Sequence, residues 1–452
     1  MTLARKLAPW GAASLTSPRT RALRRRAARA ARRLRGRPRE VHWFHQVDDP
    51  YGALLAQALG AFAERYDVAL RPHLVAPPSD AAAPERALLE AFARRDAADV
   101  APGFGLAFPA GVAAPKPEAV ARAQRVLAAA LAREGFAAAA SRAAAALWRG
   151  DDAALAALAD DLGEASDAEA RAAVAEGTAL RERLGHYLGA TLHYEGEWTW
   201  GVDRLHHLER RLVAEGARRP GASPALVAPR PAPRGAPPPA GRAAAGGPVA
   251  LQFFLSLRSP YTWIASERVV ALARRYGAEL VLRPVLPMVM RGLPVPRAKR
   301  RYIALDAKRE AEDAGVAFGR ICDPVGRPVE RCFSLYPWAR AQGRAAELLV
   351  EFMRAAWSQG VDAGADAGLR LVVERAGLSW SEAREHLDRD GGWRAELEAN
   401  RAELFALGLW GVPSFCVRGG GAPDYATWGQ DRLWRVEEEL ASRVTGAGAP
   451  PR

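Results

Sequence analysis

The chain has 452 residues, of which 49% are hydrophobic and 25% are charged. Such a length exceeds what one hydrophobic core usually organises, so we expect two domains of roughly 200 residues each. No apolar run approaches the roughly 18 residues of a membrane-spanning helix, which argues against a transmembrane segment and predicts a soluble globular protein.

Most of the positive charge lies at the start of the chain. The net charge is +13, and residues 1–40 carry +12 of it, with twelve Arg and one Lys against Glu40 alone. A basic arm of this kind can bind nucleic acid or an anionic membrane surface, and its acid-poor composition also resembles a transit peptide. The Ala/Arg bias carries no motif, however, and we predict a disordered or loosely helical arm over 1–40.

The first domain is predicted over residues 41–213. Short apolar runs around a helix-forming segment indicate a strand-helix-strand unit, and an Ala-rich stretch indicates a helical insertion. The predicted elements are a strand at 41–47, a helix at 51–65, a strand at 68–74, the insertion at 83–184, a strand at 190–194 and a helix at 202–213. Residues 214–248 are rich in Pro, Ala and Gly and are predicted to form the interdomain linker.

The second domain is predicted over residues 249–443 and follows the same pattern. Its predicted elements are a strand at 249–255, a helix from Ser259 to about 275, a strand at 279–284, a helical insertion at 297–407, a strand at 411–417, a short strand ending near 427 and a helix from about 430. The first two strands should be parallel, because one helix connects them.

Several segments of the first half recur in the same order in the second half. Asp49-Pro50-Tyr51 matches Ser259-Pro260-Tyr261, Leu70-Arg71-Pro72 matches Leu282-Arg283-Pro284, and Trp200-Gly201-Val202-Asp203-Arg204-Leu205 matches Trp428-Gly429-Gln430-Asp431-Arg432-Leu433. A tandem duplication is the simplest cause. Because Asp49 stands opposite Ser259 and Ala190 opposite Pro413, we expect the second copy to keep a site that the first has lost.

Cysteine and histidine spacing predicts no metal site and no disulfide. Cys322, Cys332 and Cys416 form no C-x-x-C motif, so we expect reduced thiols in a cytoplasmic protein, with Cys416 a small buried hydrophobe. No secretory signal precedes the first domain. Metal-ligand spacing is also missing from the candidate histidines, which are His42, His45, His206 and His207.

Four segments of the second half resemble one protein family in their order and separation. They are Ser259-Pro260-Tyr261 after a Phe-rich strand, Lys299-Arg300-Arg301-Tyr302-Ile303 with Asp306, Gly411-Val412-Pro413-Ser414-Phe415, and Trp428-Gly429-Gln430-Asp431-Arg432-Leu433. Together they resemble the DsbA-like branch of the thioredoxin superfamily, most closely 2-hydroxychromene-2-carboxylate isomerases and kappa-class glutathione transferases. The resemblance implies an α/β fold of two tandem thioredoxin-like domains, each with a helical insertion, the N-terminal copy being degenerate.

Ser259 is the candidate catalytic residue. A hydroxyl at a helix N-terminus can donate a hydrogen bond to a bound sulfur, while the helix dipole and free N–H groups favour thiolate over thiol. Ser259 cannot itself be a redox dithiol. The alternative is that Ser259 only caps its helix, as many Ser-Pro pairs do.

The resemblance implies that Val412 and Pro413 bind a cofactor. In the family, the proline is expected in the cis form, which turns the backbone of Val412 toward a peptide such as glutathione and lets the two pair like strands. The alternative is a trans proline at the start of an edge strand.

The resemblance also places four polar residues at the cofactor. Gln430 and Asp431, at the start of the last helix, would hold the γ-glutamyl carboxylate and ammonium of glutathione. Lys299 and Arg300 would contact a glycyl carboxylate or an anionic substrate. The alternatives are a helix-start acid for Asp431 and a solvated basic face for Lys299 and Arg300.

These expectations describe a glutathione-dependent isomerase or transferase that acts through the second domain on a small aromatic or unsaturated acid. Two alternatives remain open: a disulfide oxidoreductase family member without the C-x-x-C, and a non-catalytic thioredoxin-fold binding module. The family enzymes are commonly dimers, so we also expect the fused first copy to make the chain a pseudo-dimer.

Overall fold

A computed structural model describes residues 3–233 and 247–445, with side chains described from Pro9 onward. The described chain is a mixed α/β structure with two four-stranded sheets. It divides into an N-terminal unit, residues 23–232 with 296–302, and a C-terminal unit that holds the remaining described residues. Among the described helices, none combines the length and apolar character that crossing a bilayer requires.

The start of the chain is helical where the structure describes it, so the disordered alternative for residues 1–40 is wrong there and the helical one is observed. Helix α1 spans Leu3–Thr16 and helix α2 spans Pro18–Leu34. Ala and Arg are both strong helix formers. Arg25 of α2 also donates to both carboxylate oxygens of Glu197, at 2.6 and 2.7 Å.

The N-terminal unit contains a sheet of order β2-β1-β3-β4. Its elements are β1 (Glu40–His45), α3 (Pro50–Arg65), β2 (Ala69–Leu74), α4 (Arg86–Val100), α5 (Pro117–Ala130), α6 (Phe136–Arg149), α7 (Asp152–Leu162), α8 (Asp167–Leu184), β3 (Thr191–Tyr194), β4 (Glu197–Trp200) and α9 (Gly201–Ala214). Strands β1 and β2 are parallel, and the other two pairs are antiparallel.

The C-terminal sheet has the matching order β6-β5-β7-β8. The elements of this half of the chain are β5 (Val249–Leu255), α10 (Pro260–Tyr276), β6 (Glu279–Pro284), α11 (Arg297–Asp313), α12 (Arg327–Ala341), α13 (Ala345–Arg354), α14 (Asp366–Arg375), α15 (Trp380–His386), α16 (Trp393–Ala406), β7 (Ser414–Gly419), β8 (Tyr425–Trp428) and α17 (Leu433–Thr445). A short 3-10 helix, Gln430–Arg432, precedes α17.

The two sheets share strand senses as well as order. In the first, Glu40 of β1 lies opposite Ala69 of the parallel strand β2; in the second, Ala250 of β5 lies opposite Glu279 of the parallel strand β6. Strands β5 and β7 are antiparallel, as are β7 and β8. The predicted strand-helix-strand and strand-strand-helix segments are therefore present in both halves.

Large aromatic side chains form the core of the C-terminal unit. Phe253 of β5, Trp263 of α10, Phe333 of α12 and Phe352 of α13 are each at most 2% exposed. Burial of one such side chain contributes roughly 1.5–3 kcal/mol. Because β5 and α10 both contribute to this core, the N-terminus of α10 is held in place at the end of the sheet.

The segment predicted as a linker, 214–248, is only partly separate from the first domain. The backbone N–H groups of Val227 and Ala228 donate to the carboxylate of Glu209 in α9, and Asp67 donates its N–H to the carbonyl of Ala217. The chain therefore packs on the N-terminal unit at least as far as Ala228. The rest of the linker prediction, at 234–246, lies outside the described residues.

Candidate functional site

The hydroxyl of Ser259 lies at the N-terminus of α10. Ser259 has the extended backbone typical of an N-cap residue, with φ −96° and ψ 116°, and Pro260 occupies the first helical position. Its Oγ accepts a hydrogen bond from the N–H of Thr262 at 3.2 Å. The Ser-Pro pair thus starts the helix as the sequence predicts, and the hydroxyl sits at the positive end of the helix dipole.

The loop before β7 reaches the same hydroxyl. The Val412–Pro413 peptide bond is cis, as the family resemblance implied. The Oγ of Ser259 donates a hydrogen bond to the carbonyl oxygen of Val412 at 3.2 Å. Residues that lie 153 positions apart in the sequence are therefore in direct contact, and Ser259, Val412 and Pro413 form one site.

Close packing against Trp428 fixes the conformation of this loop. A Cβ atom on Gly411 would lie 2.2 Å from a ring carbon of Trp428, so only glycine fits there. The Oγ of Ser414 donates to the carbonyl of Gly411 at 2.7 Å. The loop therefore packs directly against the indole ring of Trp428.

The start of the last helical segment joins the site through its backbone. The N–H of Gly429 donates to the carbonyl of Pro413 at 2.9 Å. Asp431 follows two residues later, with a side chain that is 13% exposed and that lies 3.7 Å from the guanidinium of Arg432. An Oδ1 atom of Asp431 would be only 2.4 Å from a Cβ on Gly429, so this carboxylate folds back beside the loop.

Gln430 is placed differently from Asp431. It is 2% exposed, its amide group donates to Glu310, and its carbonyl oxygen accepts from Arg268 at 3.1 Å. The side chain thus belongs to an internal polar network. The prediction that Gln430 binds a cofactor therefore rests on its backbone N–H.

Lys299 and Arg300 belong to the other compact unit. They lie in the first turn of α11, and residues 296–302 group with the N-terminal unit. The Nζ of Lys299 donates to the carbonyl of Ala82 at 2.7 Å, and burial lowers the pKa of Lys299 to about 8. These residues group with the N-terminal unit because the start of α11 packs there: Tyr302 is buried, and its ring centroid lies 4.5 Å from that of His186. Ser259, Val412 and Pro413 belong to the C-terminal unit, so the contact of Lys299 and Arg300 with a cofactor stays a prediction.

One polar pair beside the site was not predicted. The hydroxyl of Tyr261 donates to Asp306 at 2.8 Å, and Asp306 is fully buried and paired with Arg309 at 3.0 Å. The first half has the same pair, because Tyr51 donates to Asp96 at 2.9 Å. The only sign of this pair in the sequence is that Pro-Tyr recurs at both helix starts, which points to the tyrosine but does not identify its acidic partner.

The equivalent position in the first half has the same backbone and different chemistry. Asp49 caps α3 with φ −93° and ψ 117°, and accepts from the N–H of Tyr51 at 2.9 Å. Gly201 donates its N–H to the carbonyl of Ala190 at 2.7 Å. Burial, reinforced by the neighbouring charge of Asp48, raises the pKa of Asp49 to about 7. This half therefore lacks both the neutral hydroxyl and the proline.

The cysteines are buried. Cys322, Cys332 and Cys416 form no disulfide among the described residues. Burial raises the pKa of Cys416 to about 11 and raises that of Cys332 further. Since the thiolate is the reactive form, neither of these two cysteines is suited to nucleophilic chemistry at neutral pH.

Comparisons with known proteins support a family assignment for the second half. Residues 250–441 match the DSBA-like thioredoxin domain family. A 2-hydroxychromene-2-carboxylate isomerase from Sphingobium xenophagum is 24% identical over 42% of this chain and 97% of its own length, and one from Pseudomonas putida is 23% identical over 42% and 93%. Among solved structures, the cytosolic disulfide reductase DsbM from Pseudomonas aeruginosa is 22% identical over 43% of this chain and 99% of its own, with a TM-score of 0.34.

Proposed function

Residues 250–441 form a DsbA-like thioredoxin domain, and from this premise we propose that the protein is a glutathione-dependent isomerase or transferase acting through that domain. The observation that carries the proposal is the Ser259 hydroxyl, at the N-terminus of α10 and 3.2 Å from the Val412 carbonyl beside cis Pro413. The two isomerases that match this half support the reaction class.

Ser259 would bind the sulfur of the cofactor. Its hydroxyl donates to Val412 in the free protein, and on binding it exchanges this acceptor for the sulfur while the cap bond from the N–H of Thr262 remains. A negative sulfur at this position gains from the helix dipole and from a hydrogen bond to a charged acceptor. The pKa of the bound thiol is thereby lowered, and more of it is present as thiolate at neutral pH.

The backbone around Pro413 and the carboxylate of Asp431 would orient the rest of glutathione. Val412 offers its main chain to the peptide, in the manner of an added strand. Asp431 lies beside Gly429, and the N–H of Gly429 donates to the carbonyl of Pro413. An ammonium group bound by this carboxylate would therefore lie close to the loop that contains Pro413. Glutathione supplies a thiolate that adds to an electrophilic carbon of a small aromatic or unsaturated acid.

The two reactions differ in the fate of the new sulfur–carbon bond. A transfer would keep this bond and add a proton to the neighbouring carbon. An isomerisation would instead break it again after rotation about the former double bond and would return glutathione unchanged. The residues that bind the thiol are the same in both reactions.

The test is calorimetric titration of glutathione into the full-length protein and its Ser259→Ala variant at physiological salt. We expect one site per chain, and binding about 10-fold to 100-fold weaker in the variant, as the loss of a hydrogen bond to a charged group predicts. Ser259→Asp keeps a cap but places a negative charge beside the sulfur, and is expected to abolish binding.

Two control variants separate binding from helix capping. Ser379→Ala removes the N-cap hydroxyl of α15, and Asp49→Ala removes the cap at the equivalent position of the first half. Both should bind glutathione like the wild type. Absence of binding to a folded wild-type protein, or equal binding to Ser259→Ala, would contradict the proposal.

A non-catalytic binding module is the second candidate. The first half favours it, because Asp49 has the backbone angles of Ser259 without its hydroxyl. Ala190, at the position of Pro413, has a φ of +50° that a proline cannot adopt. Glutathione binding without turnover of any conjugated acid would support this candidate. Disulfide exchange is disfavoured because no cysteine lies at 259–262. The buried thiols of Cys332 and Cys416 support our further proposal of a reducing, cytoplasmic compartment.

A further inference from the structure

Three histidines lie on one face of the N-terminal sheet. His42 of β1 is directly opposite His193 of the antiparallel strand β3, and His73 of β2 is opposite Phe44 of β1. Trp43 projects to the other face, where its ring meets Phe136 of α6 at 5.3 Å. We refer to His42, His73 and His193 as the histidine cluster.

Two members of the cluster already have the spacing of metal ligands. The Nδ1 atom of His42 and the Nε2 atom of His73 are 3.0 Å apart, and their ring centroids are 5.2 Å apart. Two imidazole nitrogens at about 2.0–2.1 Å from a tetrahedral ion would be about 3.4 Å apart. Moving the two nitrogens apart by a few tenths of an ångström would therefore make room for an ion between them. We propose that the histidine cluster binds a divalent first-row transition-metal ion, with Zn²⁺ as the reference.

His193 supplies the third ligand. Its ring centroid is 6.2 Å from that of His42. The three side chains do not place one nitrogen each within 4.8 Å of the other two, so His193 would have to move toward the pair by more than about 1 Å to coordinate the same ion. His193 is 9% exposed, and its Nδ1 atom has no hydrogen-bond partner among the described residues. Burial of an imidazole nitrogen without a partner carries a free-energy cost, which coordination would remove.

The charged groups beside the cluster are paired. The two nearby guanidinium groups are each neutralised. Arg71 pairs with Glu40 at 2.8 Å, and Arg211 pairs with Glu195 at 2.7 Å.

The fold does not require histidine at these positions. By strand pairing, the residues of the second sheet that correspond to His42, His73 and His193 are Gln252, Arg283 and Cys416, so the matched Leu-Arg-Pro segments of β2 and β6 are two residues out of register in the sheets. There the carboxylate of Glu403 joins Gln252 and Arg283, at 3.2 Å from each. The second half thus covers the same face with a polar network, and the three imidazoles are particular to the first half.

A tag-free, full-length protein titrated with Co²⁺ and then with competing Zn²⁺ tests the site. We expect one Co²⁺ per chain with the strong visible absorption of a tetrahedral site, displaced by Zn²⁺. His42→Gln introduces the residue of the second half, and His73→Gln alters the neighbouring strand. Each should weaken binding at least about 100-fold, and His193→Gln about 10-fold. Because these two substitutions lie in different strands, the proposal can still be tested if one of the variants fails to fold.

The matched control is the double variant His206→Gln/His207→Gln, which removes an adjacent histidine pair of α9 whose rings are 4.0 Å apart. It should bind Co²⁺ like the wild type. Loss of binding in this control with retention in His42→Gln, or no binding to the folded wild type, would overturn the proposal. In that case His42 and His73 would simply share a hydrogen bond. Unchanged affinity in His193→Gln would overturn the three-ligand site.

Discussion

At the scale of single residues, Asp49 and Ser259 begin equivalent helices with almost the same backbone angles. Ser259 presents a neutral donor next to Val412, whereas Asp49 presents a carboxyl group whose pKa is raised to about 7, chiefly by burial. A carboxylate repels a thiolate, and a hydroxyl stabilises it. Under the proposed function, this one difference would disfavour a bound thiolate in the first half while helix capping continues.

The raised pKa of Asp49 makes the stability of the protein depend on pH. An unfolded Asp has a pKa of about 3.9, so between pH 4 and 7 the unfolded chain loses a proton that the folded chain keeps. The favourable contribution of Asp49 is thus complete below about pH 4 and is lost as pH rises through 7. We expect Asp49→Asn, which keeps an acceptor for the N–H of Tyr51, to remove this dependence.

Urea unfolding of the wild type and Asp49→Asn at pH 4.5 and pH 8 measures the effect. The variant should gain about 2 kcal/mol relative to the wild type between these two conditions, a value reduced for partial solvent exposure. Asp151→Asn, at the exposed cap of α7, is the control and should show no such gain. A pH-independent difference between wild type and Asp49→Asn would show that Asp49 ionises freely in the folded protein.

Local sequence patterns predicted some site residues and could not predict others. Ser259 and its helix follow from two adjacent residues, since a cap and a proline act within one turn. The burial of Gln430 against Glu310 depends on a partner 120 residues away. The location of Lys299 depends on the packing of α11. The histidine cluster needs the register of three strands, which no spacing along the chain reveals.

At the scale of elements, α2 shows why composition left a disordered and a helical arm as open alternatives. Arg25 pairs with Glu197, and Arg32 pairs with Glu195 at 2.8 Å, so basic residues of the helix have acidic partners more than 160 positions later in the chain. Strands such as β5 and β6 were predicted well because a short apolar run between turn residues is a local signal. Long-range ion pairs leave no such signal.

These ion pairs should protect α2 from proteolysis. In the double variant Glu195→Gln/Glu197→Gln, we expect trypsin to cleave after Arg25 and Arg32 about 3-fold to 10-fold faster. Partly exposed pairs contribute about 0.5–1 kcal/mol each, and 1.4 kcal/mol corresponds to a factor of ten. The measurement is limited digestion followed by mass spectrometry of the first fragments.

A matched glutamine substitution shows whether the effect is specific to α2. Glu118→Gln, in the exposed first turn of α5, should leave the cleavage rate at Arg25 and Arg32 unchanged. Raising the salt concentration should bring the wild type closer to the double variant, because ions screen partly exposed pairs. Equally rapid cleavage in all three proteins would mean that the ion pairs do not hold the helix.

At the scale of the whole molecule, the chain carries two sheets with the same strand order and senses, and recurrent motifs in the same order. We propose that the first half is a diverged copy of the second. Each half has its own core and its own capped helix at the end of β1 or β5. Divergence would then have changed the side chains at the two helix starts and on the sheet faces, while the backbone topology stayed the same.

A chain with two copies should be a monomer if the fused copy fulfils the role of a partner subunit. Two sites on one chain meet at an effective concentration near the millimolar range, which favours contacts within the chain over contacts between chains at micromolar concentration. We therefore expect sedimentation velocity of the full-length protein, from about 1 to 100 µM, to give a single species of 48.6 kDa. A stable species of twice that mass across this range would instead mean that the first copy does not take the place of a partner subunit.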